Sequence, residues 1–111
     1  MRIDICWWDL EGTGQTIDSL ITHLSEHVVD AWREVPGLRL KYWLADREHN
    51  RWGAVMLWEA DDRPGVSLLP PNQAALLIGC PPAVRERFTV AAAAEGGPSV
   101  PQTTDQSAEG K

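Results

Sequence analysis

Two stretches of this chain, residues 3–10 and 52–58, are apolar on both faces once drawn out as strands, and this constrains the fold more than any other feature. The first, Ile-Asp-Ile-Cys-Trp-Trp-Asp-Leu, starts in alternation and then turns apolar on either side. The second, Trp-Gly-Ala-Val-Met-Leu-Trp, is apolar throughout. A strand with one wet face alternates polar and apolar residues, so these two predict strands covered on both sides. With 111 residues the chain amounts to about one domain. Its own remaining segments therefore have to supply one cover, and the second must come from elsewhere.

The other segments follow from periodicity and punctuation. Glu11-Gly12-Thr13-Gly14 predicts a turn. Ile17, Leu20, Ile21, Leu24, Val28, Ala31, Trp32 and Val35 recur at three- and four-residue steps, the stripe of one helix over about residues 16–34. Thr16 caps it, Asp18 suits its first turn, and Pro36-Gly37 stops it. Leu38, Leu40, Tyr42 and Leu44 alternate with Arg39, Lys41, Trp43 and Ala45, a second strand. Residues 46–50 form a polar hairpin loop, and Gly53 beyond it signals a bulge or a close backbone approach. After a polar break at 61–65, Pro70-Pro71-Asn72 opens a short helix over residues 73–78, closed by Gly79 and Pro81-Pro82. A last strand, residues 85–92, sets Arg85, Arg87 and Thr89 on one side and Phe88 and Val90 on the other. From residue 95 the composition turns to Gly, Pro, Ser, Thr, Gln and Glu, which predicts a disordered tail, 95–111, after a domain of residues 1–94.

The order β-α-β-β-α-β is that of the ferredoxin-like split motif, an α+β sandwich whose four-stranded sheet carries helices on one face only. An apolar sheet face left in water exceeds what monomers tolerate, and a second copy is the simplest cover. A twofold homodimer is the expectation. Six tryptophans are many for this length. A core absorbs three or four of them, which leaves the others for a lined cavity or an interface.

Charge and cysteine content narrow the partners. A net charge of −6 with scattered Lys and Arg speaks against nucleic acid, whose phosphates need a clustered basic face. No apolar run reaches the roughly 18 residues of a membrane-spanning helix. The start, Met1-Arg2-Ile3-Asp4, is too acidic and its apolar run too short for a signal peptide. Cys6 and Cys80 read as two reduced, buried thiols, which points to the cytoplasm.

Pro36-Gly37-Leu38, then Lys41 and Trp43, then Gly53 followed by Leu57-Trp58, resemble the YdhR-like monooxygenases of the dimeric α/β-barrel group, which includes antibiotic-biosynthesis monooxygenases. With the preceding helix and the element order, the likeness covers about residues 2–93. It implies a homodimer whose two sheets face each other as a barrel, with a cavity in each subunit between sheet and helices. Members of the wider group oxidise aromatic or polyketide substrates without metal or flavin, isomerise small aromatics, or degrade haem. The chain departs from the pattern in its Pro-rich segment 64–82, where the family often carries a longer helix. That segment would form one wall of the cavity.

Several residue types suit such a site. His23 and His27, four apart on the long helix, read either as solvated histidines or as site residues, with His27 the general base. HxxxH without a third ligand is too little for a metal site, and no cofactor is expected. Trp8 and Trp43 suit the stacking of a planar ligand, worth about 0.5–1.5 kcal/mol per pair, and the other tryptophans suit core and interface. The five strand tryptophans are expected to alternate between the sheet's faces. Lys41, Arg85 and Arg87 are cations on otherwise buried strands and need partners. Those are either Glu59, Asp9 or Glu86, or the carboxylate, phenolate or enolate of a substrate. Asp9 is either the site's acid or a strand-end turn residue, and Cys6 is a small buried apolar residue.

Together these give a catalytic pair, His27 and Arg87, and a binding set of Trp8, Trp43, His23 and Asp9. The expected protein is a small dimeric enzyme of secondary metabolism acting on a hydrophobic aromatic or polyketide-like compound. Its reaction is a cofactor-independent monooxygenation, or a cyclisation or isomerisation. The competing expectation is a non-catalytic dimeric ligand-binding or accessory protein. Exposure of both His27 and Arg87 to bulk solvent would favour the latter.

Overall fold

The computed structural model describes residues 1–60 and 69–98. Its elements run β1 (Arg2–Asp9), α1 (Ile17–His23), α2 (Glu26–Arg33), β2 (Leu38–Asp46), β3 (Arg51–Trp58), α3 (Gln73–Ile78) and β4 (Val84–Thr89). The strands make one antiparallel sheet in the order β2-β3-β1-β4. This is an α+β arrangement compatible with the ferredoxin-like fold. All four expected strands are present, the last ending at Thr89 rather than at residue 92. The polar break at 61–65 and the tail beyond residue 98 lie outside the described residues.

The single helix expected over residues 16–34 is two. Thr16 and Ser19 form a reciprocal capping box at the start of α1, and the Leu24 N–H turns back to the Ile21 carbonyl at its end. Ser25 then caps α2, its hydroxyl accepting from the Val28 N–H at 3.3 Å. A serine offers the backbone an alternative to the helical ladder, and here it restarts the helix. Leu24 hides the break from a reading of the stripe, because it still packs against the core. His23 and His27 therefore fall on different helices.

Cross-strand register decides which side chains share a face. Trp8 lies opposite Trp52, Cys6 opposite Ala54, Asp4 opposite Met56 and Arg2 opposite Trp58. On the other side of β3, Trp43 meets Ala54 and Lys41 meets Met56. On β4, Arg85 and Arg87 fall beside Cys6 and Asp4. All of these look toward the helices. The expected alternation of tryptophans between faces is therefore replaced by segregation: Trp8, Trp43, Trp52 and Trp58 share the covered face, and Trp7 alone sits on the other.

Two apolar clusters fill the space under the helices. One joins Trp8, Leu10 and Trp52 to Ile17 and Leu20 of α1 and Ile78 of α3. The second joins Met56 and Trp58 to Trp32 and Val35 from α2 and its exit. Trp43 packs against both. Between the tryptophan-bearing strands a close backbone approach is needed at Gly53. A Cβ there would meet the Cys6 carbonyl oxygen and the Trp7 Cβ, the latter at 2.8 Å. The glycine is required by β1's proximity, as its place in an apolar strand suggested.

The opposite face carries Ile3, Ile5 and Trp7 of β1, Val55 and Leu57 of β3, and Val84 and Phe88 of β4. Leu40, Tyr42 and Leu44 of β2 join them, with Glu86 of β4 opposite Ile5 and Arg51 of β3 over the Trp7 ring. Tyr42 is 56% and Phe88 53% exposed, and Leu40 and Leu44 also lie open. No helix of the described residues is long and apolar enough to cross a membrane.

Candidate functional site

Between the two core clusters the covered face leaves a cavity of about 280 Å³. Its floor is Cys6 and Trp8 of β1, Trp52, Ala54 and Met56 of β3, and Lys41 and Trp43 of β2. Arg85 closes one edge from β4, Trp32 comes down from α2, and Leu69, Pro70, Pro71, Asn72 and Ala74 form the remaining wall. Residues 69–72 and Ala74 of the proline-rich segment thus stand at the cavity wall, the place that the resemblance implies for it. Prolines suit that wall because their fixed φ holds an irregular segment against the sheet without a helix's width. Asn72 then caps α3 through the Ala75 N–H, and Gly79 ends it in the left-handed region.

Lys41 is the chemical centre of the cavity. Its ammonium lies 3.3 Å from the centroid of the Trp32 ring and 4.8 Å from that of Trp43. Both indoles and the lysine also line two adjoining clefts, one against α1 and α3, one against Arg33 and Arg39. None of Glu59, Asp9 and Glu86 pairs with Lys41 among the described residues. Burial pulls its amine from the ordinary 10.5 down to about 8, opposed weakly by Cys6. The indole faces work against that shift, since a cation–π contact favours the ammonium by about 0.5–2 kcal/mol. Desolvation is the larger effect. Burial likewise pushes the Cys6 thiol up, against the pull of Arg85 and Lys41. Cys6 is therefore a neutral, buried thiol, as its reading as a small apolar residue implied; Cys80, expected to be buried, is exposed.

The other sequence-derived residues are distributed unevenly. Trp8 and Trp43 both border the cavity. Trp8's indole N–H is already used, donating to the Cys80 carbonyl at 2.8 Å, so Trp8 offers a ligand its ring and not its donor. His23, exposed at the end of α1, borders the adjoining cleft together with Lys41 and Trp43. His27 is exposed in the first turn of α2 and belongs to the lining of none of these clefts. Arg87 has a side chain 62% exposed and stands 3.8 Å from Asp4, in a separate depression with Arg85 and Cys6. Asp4 is also held by Arg2 at 3.0 Å. Asp9 is exposed and accepts the Glu11 N–H, the turn role that was its alternative.

The structure therefore brings Trp8 and Trp43 together, sets His23 alongside, and leaves His27, Arg87 and Asp9 outside the cavity. Lys41 takes the central place. One signal in the sequence marks it: lysine occurs only twice, at 41 and 111, against eight arginines. No group of three His, Cys, Asp or Glu side chains among the described residues is placed to hold a metal ion. No protein-family model matches the chain, and a search of curated proteins found no match.

Proposed function

We propose that the covered-face cavity binds a small planar aromatic compound carrying an acidic oxygen, a phenol or an enol, and holds its anion against Lys41. The observation that carries this is the Lys41 ammonium set between two indole faces on a cavity wall, with no carboxylate beside it among the described residues. An unpaired buried cation is costly, and an incoming anion offsets that cost. The tryptophans supply flat apolar surface for stacking. At about 280 Å³ the cavity stands just below the roughly 300–1,000 Å³ of drug-sized sites, which suits one or two fused rings.

The reaction that this arrangement serves is a cofactor-independent oxygenation of the YdhR-like kind. The free Lys41 amine takes the phenol or enol proton and, as the ammonium, stabilises the resulting anion, which the ring stack orients. The carbanionic carbon adds O₂, and the resulting hydroperoxide loses water to leave a carbonyl. The substrate supplies the electrons, so a CH₂ becomes C=O with release of H₂O. A cyclase or isomerase uses the same anion with a proton transfer instead. In this reading Lys41 takes the role first given to His27, and Arg85 that of Arg87. The exposed apolar sheet face supports the second part of the proposal, a homodimer paired through β2 and β4 residues on that face to give a dimeric barrel in the cytoplasm.

O₂ uptake with anthrone- or quinol-type compounds tests the reaction. Uptake that falls at least tenfold in Lys41→Met, with His27→Ala unchanged, supports it; equal uptake in all three overturns it. Exposure of both His27 and Arg87 favours the second reading, a non-catalytic ligand-binding protein. That reading predicts binding of the same compounds with no O₂ consumption.

A further inference from the structure

We infer that Lys41 is also a carbonyl-capturing amine, able to condense reversibly with a small aromatic aldehyde or ketone in the tryptophan cavity. This rests on the cavity reading above and names a substrate class within it. The amine stands at the wall of an apolar enclosure, flanked by indole rings at 3.3 and 4.8 Å. The titratable and charged groups that face it are Cys6 from β1, Arg85 from β4, His23 from α1, Arg33 from α2 and Arg39 on its own strand. Neither β3 nor the described wall segment adds any charged side chain. No carboxylate is among them in the described residues, so besides the weak pull of Cys6 only the two indole faces favour the proton on the nitrogen. Asp4, the nearest acidic group along β1, is engaged by Arg2 and Arg87. A desolvated lysine of this kind is a nucleophile at mild pH, and burial places its titration at about 8.

The chemistry balances without any other reactant. The free amine adds to the carbonyl carbon, the proton moves from nitrogen to oxygen, and the carbinolamine loses that oxygen as water to give the imine. No oxidant or reductant is involved. The protonated imine is again a cation, and it forms where two indole faces favour positive charge. Dehydration is thereby assisted over simple addition. The aldehyde's ring occupies the same stacking surface that the phenol or enol of the proposed function would use.

The scarcity of lysine makes the test clean. The full chain is incubated with 2-naphthaldehyde, quenched with borohydride to reduce any imine to a stable amine, and mapped by peptide mass. At pH 8 an amine titrating at about 8 carries on the order of a hundredfold more free base than an ordinary lysine. Label at Lys41 is therefore expected to exceed that at Lys111 at least tenfold and to rise from pH 7 to pH 9. Lys41→Arg should abolish it while leaving the amino terminus, the internal standard, labelled as before. Label at Lys41 no greater than at Lys111, or a pH course like that of Lys111, overturns the inference. Calorimetric binding of 2,4-dinitrophenolate to the same sample separates the two readings. Phenolate binding without label defeats the imine alone; label without phenolate binding defeats the anion-binding reading alone.

Discussion

The two faces of this sheet are built from the same four strands and differ in almost everything else. On the covered face lie four tryptophans, three of them at most 4% exposed, together with Lys41, Arg85 and the Arg2–Asp4 pair. On the open face lie Ile, Val, Leu, Tyr and Phe, with Trp7, the single indole, under Arg51, and Glu86 opposite Ile5. The comparison separates two roles that a tryptophan count merges. Indoles gather on the face that holds Lys41 and the cavity, and aliphatic residues with Tyr42 and Phe88 dominate the face left open. Pairing is thus argued by the open face, and ligand chemistry by the covered one.

Substitutions at matched depth test that division. Trp58 is fully buried, and Trp58→Ala should cost about 3–5 kcal/mol in urea unfolding. Its indole N–H has no hydrogen-bond partner among the described residues, so Trp58→Phe should cost less than half as much. Tyr42→Ala on the open face should change the chain's own unfolding by no more than about 0.5 kcal/mol. A Tyr42→Ala cost equal to that of Trp58→Ala would erase the distinction between the faces.

Lys41 gives the next largest effect, and its sign is fixed by linkage. Its folded value, about 8, lies below its ordinary 10.5, so the unfolded chain binds more protons between those limits. Stability rises with pH across that window, and the burial penalty is fully present below pH 8. Lys41→Met should therefore be more stable than the wild type at pH 7, by up to about 3 kcal/mol, with the gap closing toward pH 10.5. A gap that does not vary with pH would contradict the buried amine.

The open face is sharpened by native mass. Tyr42→Lys with Phe88→Glu should convert a two-chain species into a single chain while leaving phenolate binding in the cavity unchanged. A wild type that is already a single chain would remove the pairing proposal. The smallest effect belongs to the β2–β3 hairpin. Arg51, then His49, hold the Asp46 carboxyl down at about 2. Its contribution is present above its ordinary 3.8 and lost as pH falls through about 2, so the small difference between wild type and Asp46→Asn at pH 6 should vanish there.

Strand positions were legible because alternation and double-sided hydrophobicity are local. So were α3 and its caps, set by Asn72 and Gly79, and the required smallness of residue 53. The break between α1 and α2 was not, because Leu24 sustains the apolar stripe through a residue that is no longer helical. Nor was the gathering of tryptophans on one face, which depends on the pairings of Trp8 with Trp52 and Trp43 with Ala54. Register is a long-range property, and a slip of one residue would invert it. Lys41 was visible as a cation on a buried strand. Among the described residues two indoles stand where a carboxylate or a substrate anion was expected, one of them brought by α2, the element just before β2.

The central claim is that the cavity around Lys41 is the ligand site. Calorimetric titration of 2,4-dinitrophenolate into wild type, Lys41→Met and Phe88→Ala tests it most directly. Saturable binding that weakens at least tenfold in Lys41→Met and is unchanged in Phe88→Ala is the predicted result. Binding that survives in Lys41→Met and is lost in Phe88→Ala would move the site to the open face and contradict the account.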